Sequence, residues 1–311
     1  MDLVFLGTPP FAVPTLEALI AAGHHIKAVY TQPDRPSGRG QEVTQSAVKK
    51  AALAHNLPVL QPERVRLPEE IAKLAEFRVP VMVVVGYGQI LPQAVIDLAP
   101  LGIINVHGSL LPKYRGAAPI QWAIANGESH TGVTTMRINA GMDTGDMLLK
   151  AEMEILLDDT STTLAGRLSL LGAELLIETL KGLEKGTIAP IPQDHSEVTY
   201  AAILKKEDGR IDFSRTAAEI ANRLRGFTPW PGTYTTFRGT QWKILSARPA
   251  VDTVVGSAGE IRPIGKRVFL ICGNDTLLEV IELQQDGRKR ITAEAFLNGQ
   301  RPVGGETFGS E

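Results

Sequence analysis

Short apolar runs alternate with helical patterns through the first half of the chain. Four runs are rich in β-branched or aliphatic residues and are bounded by glycine, proline or polar residues, which predicts strands. The strand-like runs are Leu3–Leu6, Ile26–Thr31, Val81–Val85 and Ile103–Val106. The helix-like stretches between them are Thr15–Ala22, Ser46–His55 and Glu69–Phe77. Strands that alternate with helices predict an α/β fold: a mostly parallel sheet with helices on both faces.

The pattern changes in the second half of the chain. Ser161–Lys185 is a long Leu-, Ala- and Glu-rich helix, which Ser and Thr can cap at its start and Gly186 can end. The next stretch, Ile188–Glu197, is polar, aperiodic and contains prolines, which predicts a linker. Beyond Lys205 a helix near Ala217–Arg225 precedes short strands with glycine-containing turns, which predicts a small β-barrel. These strands are Gly232–Phe237, Gln241–Ala247, Val268–Ile271 and Leu277–Leu283.

These patterns divide the chain into three parts. We predict a catalytic α/β domain over 1–187, a linker over 188–205 and a β-barrel domain over 206–311. The formal charge of −2 conceals an asymmetry, with 16 Lys/Arg against 21 Asp/Glu up to residue 204 and 16 against 13 after it. The basic excess of the last part permits a phosphate-rich partner, although a mixed, solvated surface gives the same count.

Composition and motifs exclude several classes of protein. No apolar run reaches membrane-spanning length and the start MDLVFLGTPP lacks the basic region of a secretory signal, so we expect a cytoplasmic protein. The single cysteine, Cys272, lies in an apolar run and is expected to be buried. The six histidines do not have metal-ligand spacing, so a metal-free reaction is expected. The glycines after the strand-like runs match neither a dinucleotide-binding nor a Walker A motif.

An amide and an imidazole follow one of the predicted strands. Asn105 and His107 alternate onto the same side of a strand end, where an α/β sheet opens its ligand crevice. The next residues are Ser109, Leu110, Leu111 and Pro112. This loop could line a pocket for a flat ligand with its main-chain groups. A catalytic triad with Ser109 is a weaker interpretation, because no G-x-S-x-G elbow surrounds that serine.

A carboxylate partner for His107 is available in the loop Asn139–Asp146, where either Asp143 or Asp146 could orient the ring and hold its charged form. Such a group fits the attack of an amine on a formyl carbon, which creates an oxyanion and releases a proton. Asn105 and a cationic His107 would donate to the oxyanion. Asp143 would accept the amine proton through a water molecule.

Two arginine-containing segments could contact nucleic acid. The loop Gln32–Gly40 carries Arg35 and Arg39 among glycine and serine, and could reach phosphates or bases. The segment Arg223–Gly232 places two cations and two aromatic residues near a turn. A surface loop for the first and a packed core for the second remain open alternatives.

Several segments together resemble the methionyl-tRNA formyltransferase family of bacteria and organelles. The matching segments are LGTPPFA, QPDRPSGRG, NVHGSLLPKYRGAAPIQW, GMDTGDML, DGRIDFS and RLRGFTPWPG, and the likeness spans almost the whole chain. The resemblance implies a Rossmann-like formyltransferase domain, a linker and a C-terminal barrel similar to an OB-fold. It also implies 10-formyltetrahydrofolate as formyl donor, no metal, and methionyl initiator tRNA as acceptor.

The resemblance also implies roles for individual residues. Asn105, His107 and Asp143 match the catalytic group of the family. The loop Ser109–Pro112 matches its folate-binding loop. Gly38 and Arg39 match the loop that recognises the unpaired first base pair of initiator tRNA. We also expect Arg223 and Arg225 to contact the tRNA acceptor arm, and we expect a monomer.

Four other functions remain as alternatives. Related folate enzymes formylate glycinamide ribonucleotide or an amino-sugar nucleotide, but the first normally lacks the barrel and the second normally continues into a dehydrogenase domain. A formyl-folate hydrolase would use water in place of the amine and would not need Arg39. A tRNA-binding module without catalysis would be expected to lack Asn105, His107 or Asp143, and all three are present.

Overall fold

The computed structural model describes residues 1–37 and 42–309. The chain divides into two compact units, each made of several segments of sequence. Unit 1 comprises Met1–Pro119, His130–Glu154 and Ala165–Ala201, and unit 2 comprises Ile120–Ser129, Ile155–Leu164 and Ala202–Glu311. Most of the segment that we predict as a linker therefore belongs to unit 1.

Strands and helices alternate in unit 1, whereas strands dominate unit 2. The strands of the described residues are β1 (Asp2–Gly7), β2 (His25–Tyr30), β3 (Arg35–Ser37), β4 (Glu42–Thr44), β5 (Val59–Leu60), β6 (Val81–Val85), β7 (Ile103–His107), β8 (Arg115–Gly116), β9 (His130–Arg137), β10 (Met147–Glu154), β11 (Tyr200–Ala201), β12 (Tyr234–Phe237), β13 (Thr240–Thr253), β14 (Ile261–Ile264), β15 (Arg267–Ile271), β16 (Thr276–Gln285) and β17 (Arg290–Thr292). Their α-helices are α1 (Val13–Ala21), α2 (Ala47–Ala54), α3 (Pro68–Glu76), α4 (Gln93–Ile96), α5 (Pro119–Ala125), α6 (Ser161–Lys185), α7 (Ala217–Gly226) and α8 (Ala293–Gln300).

The main sheet of unit 1 confirms the predicted α/β class. In the described residues its order is β10-β9-β7-β6-β1-β2-β5. The pairs from β7 to β5 are parallel, whereas β9 pairs antiparallel with β7, and β10 pairs antiparallel with β9. The central strands β1 and β6 are almost entirely buried, which explains why their sequences are continuous apolar runs rather than alternating ones.

Local signals at the helix ends explain where the helices begin and end. Ser46 caps α2 by accepting a hydrogen bond from the Lys49 N–H, and Thr216 forms a capping box with Glu219 at the start of α7. Helix α6 has the predicted bounds, and Gly186 follows it with a φ of 67°, a conformation that glycine adopts without steric cost. The predicted helices are therefore present, with ends shifted by a few residues at most.

Unit 2 confirms the predicted β-rich C-terminal domain as an antiparallel sheet. Within residues 202–309 the strand order is β12-β13-β16-β15-β14, and β17 pairs with β16. The long strand β13 shifts register against β16 at three places, which lets it bend across the sheet. Helix α7 packs on this sheet and shares one apolar core with it, in which Trp242, Phe296 and Phe308 are buried.

Two further expectations concern single features of the chain. Cys272 is buried, as predicted, and its burial raises the pKa of the thiol to about 12. The thiol is therefore protonated and poorly reactive at neutral pH. No α-helix among residues 1–37 and 42–309 has both the length and the apolar character that crossing a membrane requires.

Candidate active site

Strand β7 carries the first two candidate residues to the edge of the sheet. Asn105 and His107 are two positions apart in the same strand, so their side chains share one face, as predicted. Asn105 is half-buried and lies between Val84 of β6 and Met136 of β9. His107 is buried and is the last residue of the strand. The amide and the imidazole therefore occupy the carboxyl end of a central strand.

Both ring nitrogens of His107 face oxygen atoms. Nε2 lies 3.0 Å from the carbonyl oxygen of Tyr114, and Nδ1 lies 3.6 Å from Oδ2 of Asp143. A carbonyl oxygen can only accept, so Nε2 carries a hydrogen and donates to Tyr114. When Nδ1 is also protonated, the positive ring faces the carboxylate. Nδ1 is therefore the ring nitrogen on the side of Asp143.

The loop after β9 presents Asp143, rather than Asp146, to the imidazole. Asp143 has a φ of 51°, and its Oδ2 accepts a hydrogen bond of 2.8 Å from the Gly116 N–H. The side chain of Asp146 is exposed. A Cβ atom on Gly145 would come within 1.7 Å of the Arg137 carbonyl oxygen, so only glycine fits there. The tight turn therefore places Asp143, and not Asp146, against His107, a choice that the residue pattern left open.

The loop Ser109–Pro112 is held rigidly by side chains from β9 and β10. Thr134 Oγ1 accepts from the Leu111 N–H at 3.1 Å and donates to the Ser109 carbonyl oxygen at 2.7 Å. Lys150 Nζ donates to the Leu111 carbonyl oxygen at 2.6 Å. Several main-chain groups of the loop are therefore used within the protein. Leu110 is half-buried, whereas the other three residues of the loop are buried, so its side chain offers the loop's most accessible surface.

Some of these partners cannot be found from the sequence patterns. Thr134 and Lys150 lie on strands next to the loop that they hold, but nothing in their spacing points to that contact. Gly116 has a φ of 116° and follows the Lys-Tyr-Arg stretch, where it marks a special backbone position without revealing its partner. The sequence shows only that Gly116 is a glycine, and the acceptor of its N–H, the Asp143 carboxylate, is identified by the folded structure.

Arg223 lies in helix α7, and its side chain contacts other residues of unit 2. Its guanidinium lies 4.8 Å from the centre of the Phe227 ring and 5.7 Å from that of Trp122, in cation–π contact. One nitrogen also donates to the Asp208 carbonyl oxygen at 3.2 Å. Desolvation lowers the pKa of Arg223 from its usual value. The predicted role of this arginine in tRNA binding stays a prediction.

Arg225 is similarly engaged. Its Nη1 donates to the carbonyl oxygens of Leu156 and Asp159, and its Nη2 donates to Asn222 Oδ1 at 2.7 Å. Desolvation again lowers the pKa. The guanidinium thus joins α7 to the segment Ile155–Leu164 inside unit 2. These contacts explain its presence in the RLRG stretch without a ligand, so contact with tRNA stays a prediction here too.

Gly38 and Arg39 lie outside the described residues. The residues on either side of them form the antiparallel pair β3 and β4, in which Arg35 is opposite Thr44. Asp34, immediately before β3, accepts hydrogen bonds from Lys49 and Gln61, and these contacts anchor the start of the hairpin. The role of Arg39 in recognising tRNA therefore remains the prediction made from the resemblance.

Among residues 1–37 and 42–309, no three His, Cys, Asp or Glu side chains are grouped so that they could hold a metal ion. His107 and Asp143 instead face each other, with the Gly116 N–H and the Tyr114 carbonyl oxygen as their other partners. The site is built from hydrogen-bonding and acid–base groups.

Comparison with solved structures shows a shared fold. The N-formyltransferase of Helicobacter canadensis, solved in complex with folinic acid and dTDP-3-aminofucose, has a TM-score of 0.66 and 20% identity. The match covers 91% of this chain and 98% of that one. At this identity the likeness concerns the arrangement of the chain and not the substrate.

Comparison of sequences is far closer. The family model described as "Formyl transferase" matches residues 1–180, and "Formyl transferase, C-terminal domain" matches residues 203–301. The methionyl-tRNA formyltransferases of Koribacter versatilis and Solibacter usitatus are each 58% identical, over 99% of this chain and 99% of theirs. The chain therefore belongs to the formyl transferase family, in the branch of the methionyl-tRNA formyltransferases.

Proposed function

We propose that this protein transfers the formyl group of 10-formyltetrahydrofolate to the amino group of methionyl initiator tRNA and produces N-formylmethionyl-tRNA. The observation that carries the proposal is the meeting of His107 and Asp143, 3.6 Å apart, beside Asn105 at the end of β7. The full-length likeness to methionyl-tRNA formyltransferases supports the choice of both substrates.

The three side chains provide what an acyl transfer to an amine needs. As the amine nitrogen bonds to the formyl carbon, negative charge develops on the formyl oxygen. The Asn105 amide and the Nδ1–H of cationic His107 donate to that oxygen. Asp143 stabilises the His107 cation and accepts the amine proton through a water molecule. The bond from the formyl carbon to the folate nitrogen breaks, and that nitrogen recovers a proton.

The loop Ser109–Pro112 fits the role of a folate-holding element. Thr134 and Lys150 make it rigid, and a preformed loop loses little conformational freedom when a ligand binds. The half-buried Leu110 offers apolar surface to a flat ring system. When bound, the folate supplies the activated formyl group, and the protein holds and polarises it.

The tRNA partner is assigned on different grounds. Arg39, with Gly38 beside it, would recognise the unpaired first base pair of the initiator acceptor arm. We propose that unit 2, in which Arg223 and Arg225 hold α7 in place, helps to hold that arm. We further propose a monomer that acts in the cytoplasm, where it would meet the tRNA.

The test is formyl transfer with defined acceptors. Purified protein is given 10-formyltetrahydrofolate with methionyl initiator tRNA, methionyl elongator tRNA or no amine. Both tetrahydrofolate and formyl-methionyl product are measured. We expect product mainly from initiator tRNA and little folate release without an amine. Equal release in all three reactions would identify a hydrolase and refute the transfer to tRNA.

A further inference from the structure

The buried amide of Gln193 joins the buried Arg115 to the loop Asn139–Asp146, the Asp143 loop. Its Nε2 donates to the carbonyl oxygens of Asp143 and Gly145, at 2.8 and 2.7 Å. Its Oε1 accepts from Nε and Nη2 of Arg115, at 3.0 and 2.7 Å. Gln193 is 6% exposed and Arg115 is 2% exposed. Every hydrogen-bonding position of the amide is therefore filled by a group of unit 1.

The partners fix which way the amide points. A guanidinium can only donate, and main-chain carbonyl oxygens can only accept. The amide oxygen must therefore face Arg115, and the amide nitrogen must face Asp143 and Gly145. A carboxylate of the same size would serve Arg115 but would be repelled by the two carbonyl oxygens. An apolar side chain would serve neither side, so the position requires the chemistry of an amide.

The Asp143 loop needs such an external tether. Asp143 has a φ of 51°, a left-handed conformation that residues with a side chain adopt only when their surroundings hold it. Gln193 holds the backbone on one side, and the Gly116 N–H holds the Asp143 carboxylate on the other, at 2.8 Å. The two contacts together fix where the carboxylate stands relative to His107.

The same segments are pinned to each other at a second point. Arg115 and Gly116 form β8, which pairs with Tyr200 and Ala201 of β11. A Cβ atom on Gly116 would come within 2.6 Å of the Ala201 carbonyl oxygen, so the close approach needs glycine. The stretch from Gln193 to Ala201 thus holds both the Asp143 loop and the residue whose N–H binds the Asp143 carboxylate.

We propose that Gln193 is a positioning residue for the formyl transfer. Arg115 orients its amide, the amide fixes the backbone of Asp143 and Gly145, and the fixed backbone sets the Asp143 carboxylate against His107. The proposal rests on the function proposed above for Asp143. It extends that function to a residue in the segment that the sequence predicts as a linker.

The test changes the donors of Gln193 and retains its acceptor. Q193E keeps an oxygen for Arg115 and removes both donors to the loop, and Q93E makes the same change at an exposed position of α4. We expect Q193E to lower kcat by roughly ten- to a hundredfold, as for a small misplacement of a reacting group, and to change KM for either substrate by less than about twofold. Q93E should leave both constants unchanged.

A double-mutant cycle separates positioning from general damage. If Gln193 acts through Asp143, the effect of Q193E should almost vanish in a D143N background. An undiminished effect in that background, or an unchanged kcat in Q193E alone, would overturn the proposal. If Q193E does not fold, Q193N, which keeps the amide but withdraws it by one methylene group, replaces it in the same cycle with the same expectations.

Hydrogen exchange provides a readout that does not depend on activity. The Gly116 amide hydrogen is bound to Asp143, so displacement of the loop should speed its exchange at least about tenfold in Q193E and not in Q93E. Unchanged exchange at Gly116 would also refute the positioning role. If the wild-type protein forms no formyl-methionyl product, the proposed function fails, and the exchange result still decides whether Gln193 fixes Asp143.

Discussion

The Nδ1 atom of His107 lies 3.6 Å from Oδ2 of Asp143, and the Nε2 atom of the same ring donates to the Tyr114 carbonyl oxygen. This distance is longer than a hydrogen bond, so Nδ1 remains able to donate to the formyl oxygen in the proposed transfer. Asn105 lies on the same face of β7 as this ring.

The first prediction concerns the choice of carboxylate. D143N should lower kcat by about two or more orders of magnitude, because it removes the charge that stabilises the His107 cation and accepts the amine proton. D146N is the matched control, since Asp146 lies in the same loop with an exposed side chain. It should change kcat by less than about twofold. Steady-state kinetics with saturating folate and tRNA measure both. An equal fall of kcat in the two variants would mean that catalysis depends on the conformation of the loop and not on the Asp143 carboxylate.

The second prediction concerns the loop Ser109–Pro112, for which we propose folate binding. T134V removes the hydroxyl that binds both Leu111 and Ser109, and should raise KM for 10-formyltetrahydrofolate roughly tenfold, the equivalent of about 1.4 kcal/mol. Thr135, the next residue of β9, serves as the control position. T135V loses hydrogen bonds to Leu149 and Thr179 and leaves the loop contacts in place. Both variants should lose stability, but T135V should keep its KM. A normal KM in T134V would separate this loop from folate binding.

The third prediction concerns the tRNA. R39A should reduce the preference for initiator over elongator tRNA at least about tenfold, which corresponds to the loss of one specific contact. R35A removes the same charge from the neighbouring strand β3, where Arg35 forms an ion pair of 3.5 Å with Glu63. It should leave the preference in place. The ratio of kcat/KM for the two tRNAs measures the effect. An equal fall in both variants would indicate general attraction to phosphate instead of recognition.

The fourth prediction concerns the pH dependence of unit 2. Hydrogen bonds from Arg267, and then from Arg248, lower the pKa of Glu279 from about 4.5 to about 2. A lowered pKa stabilises the folded state above pH 4.5, and this stabilisation is lost as the pH falls from 4.5 towards 2. E279Q should cost about 1–2 kcal/mol at pH 7, less than the full shift implies because both arginines are exposed to solvent.

Urea unfolding between pH 3 and 7 measures that difference. The difference in the free energy of unfolding between the wild type and E279Q should become smaller below pH 4.5. E282Q is the control, because Glu282 of the same strand makes an exposed contact of 3.9 Å with Arg290. It should change the free energy of unfolding by less than about 0.5 kcal/mol. A gap of constant size at every pH would show that the charge of Glu279 is not responsible.

Much of the fold follows from patterns that are local in sequence. Strands β1 and β6 are short apolar runs bounded by polar residues, glycine or proline, and α6 has the capping residue Thr160 before it and Gly186 after it. The residues that the patterns missed make short pairings, such as β8 with β11. A strand of two residues is too short to show an alternation of polar and apolar positions, so no sequence pattern can predict it. The membership in a family of folate-dependent formyltransferases was also predictable, because its motifs are contiguous, and it is confirmed.

The site was predictable where strand geometry alone decides. Asn105 and His107 share a face because side chains of a strand alternate. The choice between Asp143 and Asp146 depends on a left-handed residue within a tight turn, which the sequence does not specify. Gln193 was hidden for a different reason. It lies in an aperiodic, proline-containing stretch, and its partners Arg115 and Asp143 are distant in sequence.

The strand pairing between Tyr200–Ala201 and Arg115–Gly116 also limits how such chains can be recombined. The two family models end at residue 180 and begin again at residue 203, which invites a crossover anywhere between them. A hybrid joined at Thr187 would take Gln193 and β11 from a different parent than the loops they bind. Evolution and protein engineering alike should therefore exchange the C-terminal part only beyond Ala201, so that Gln193, β11 and the loops that they bind come from the same parent.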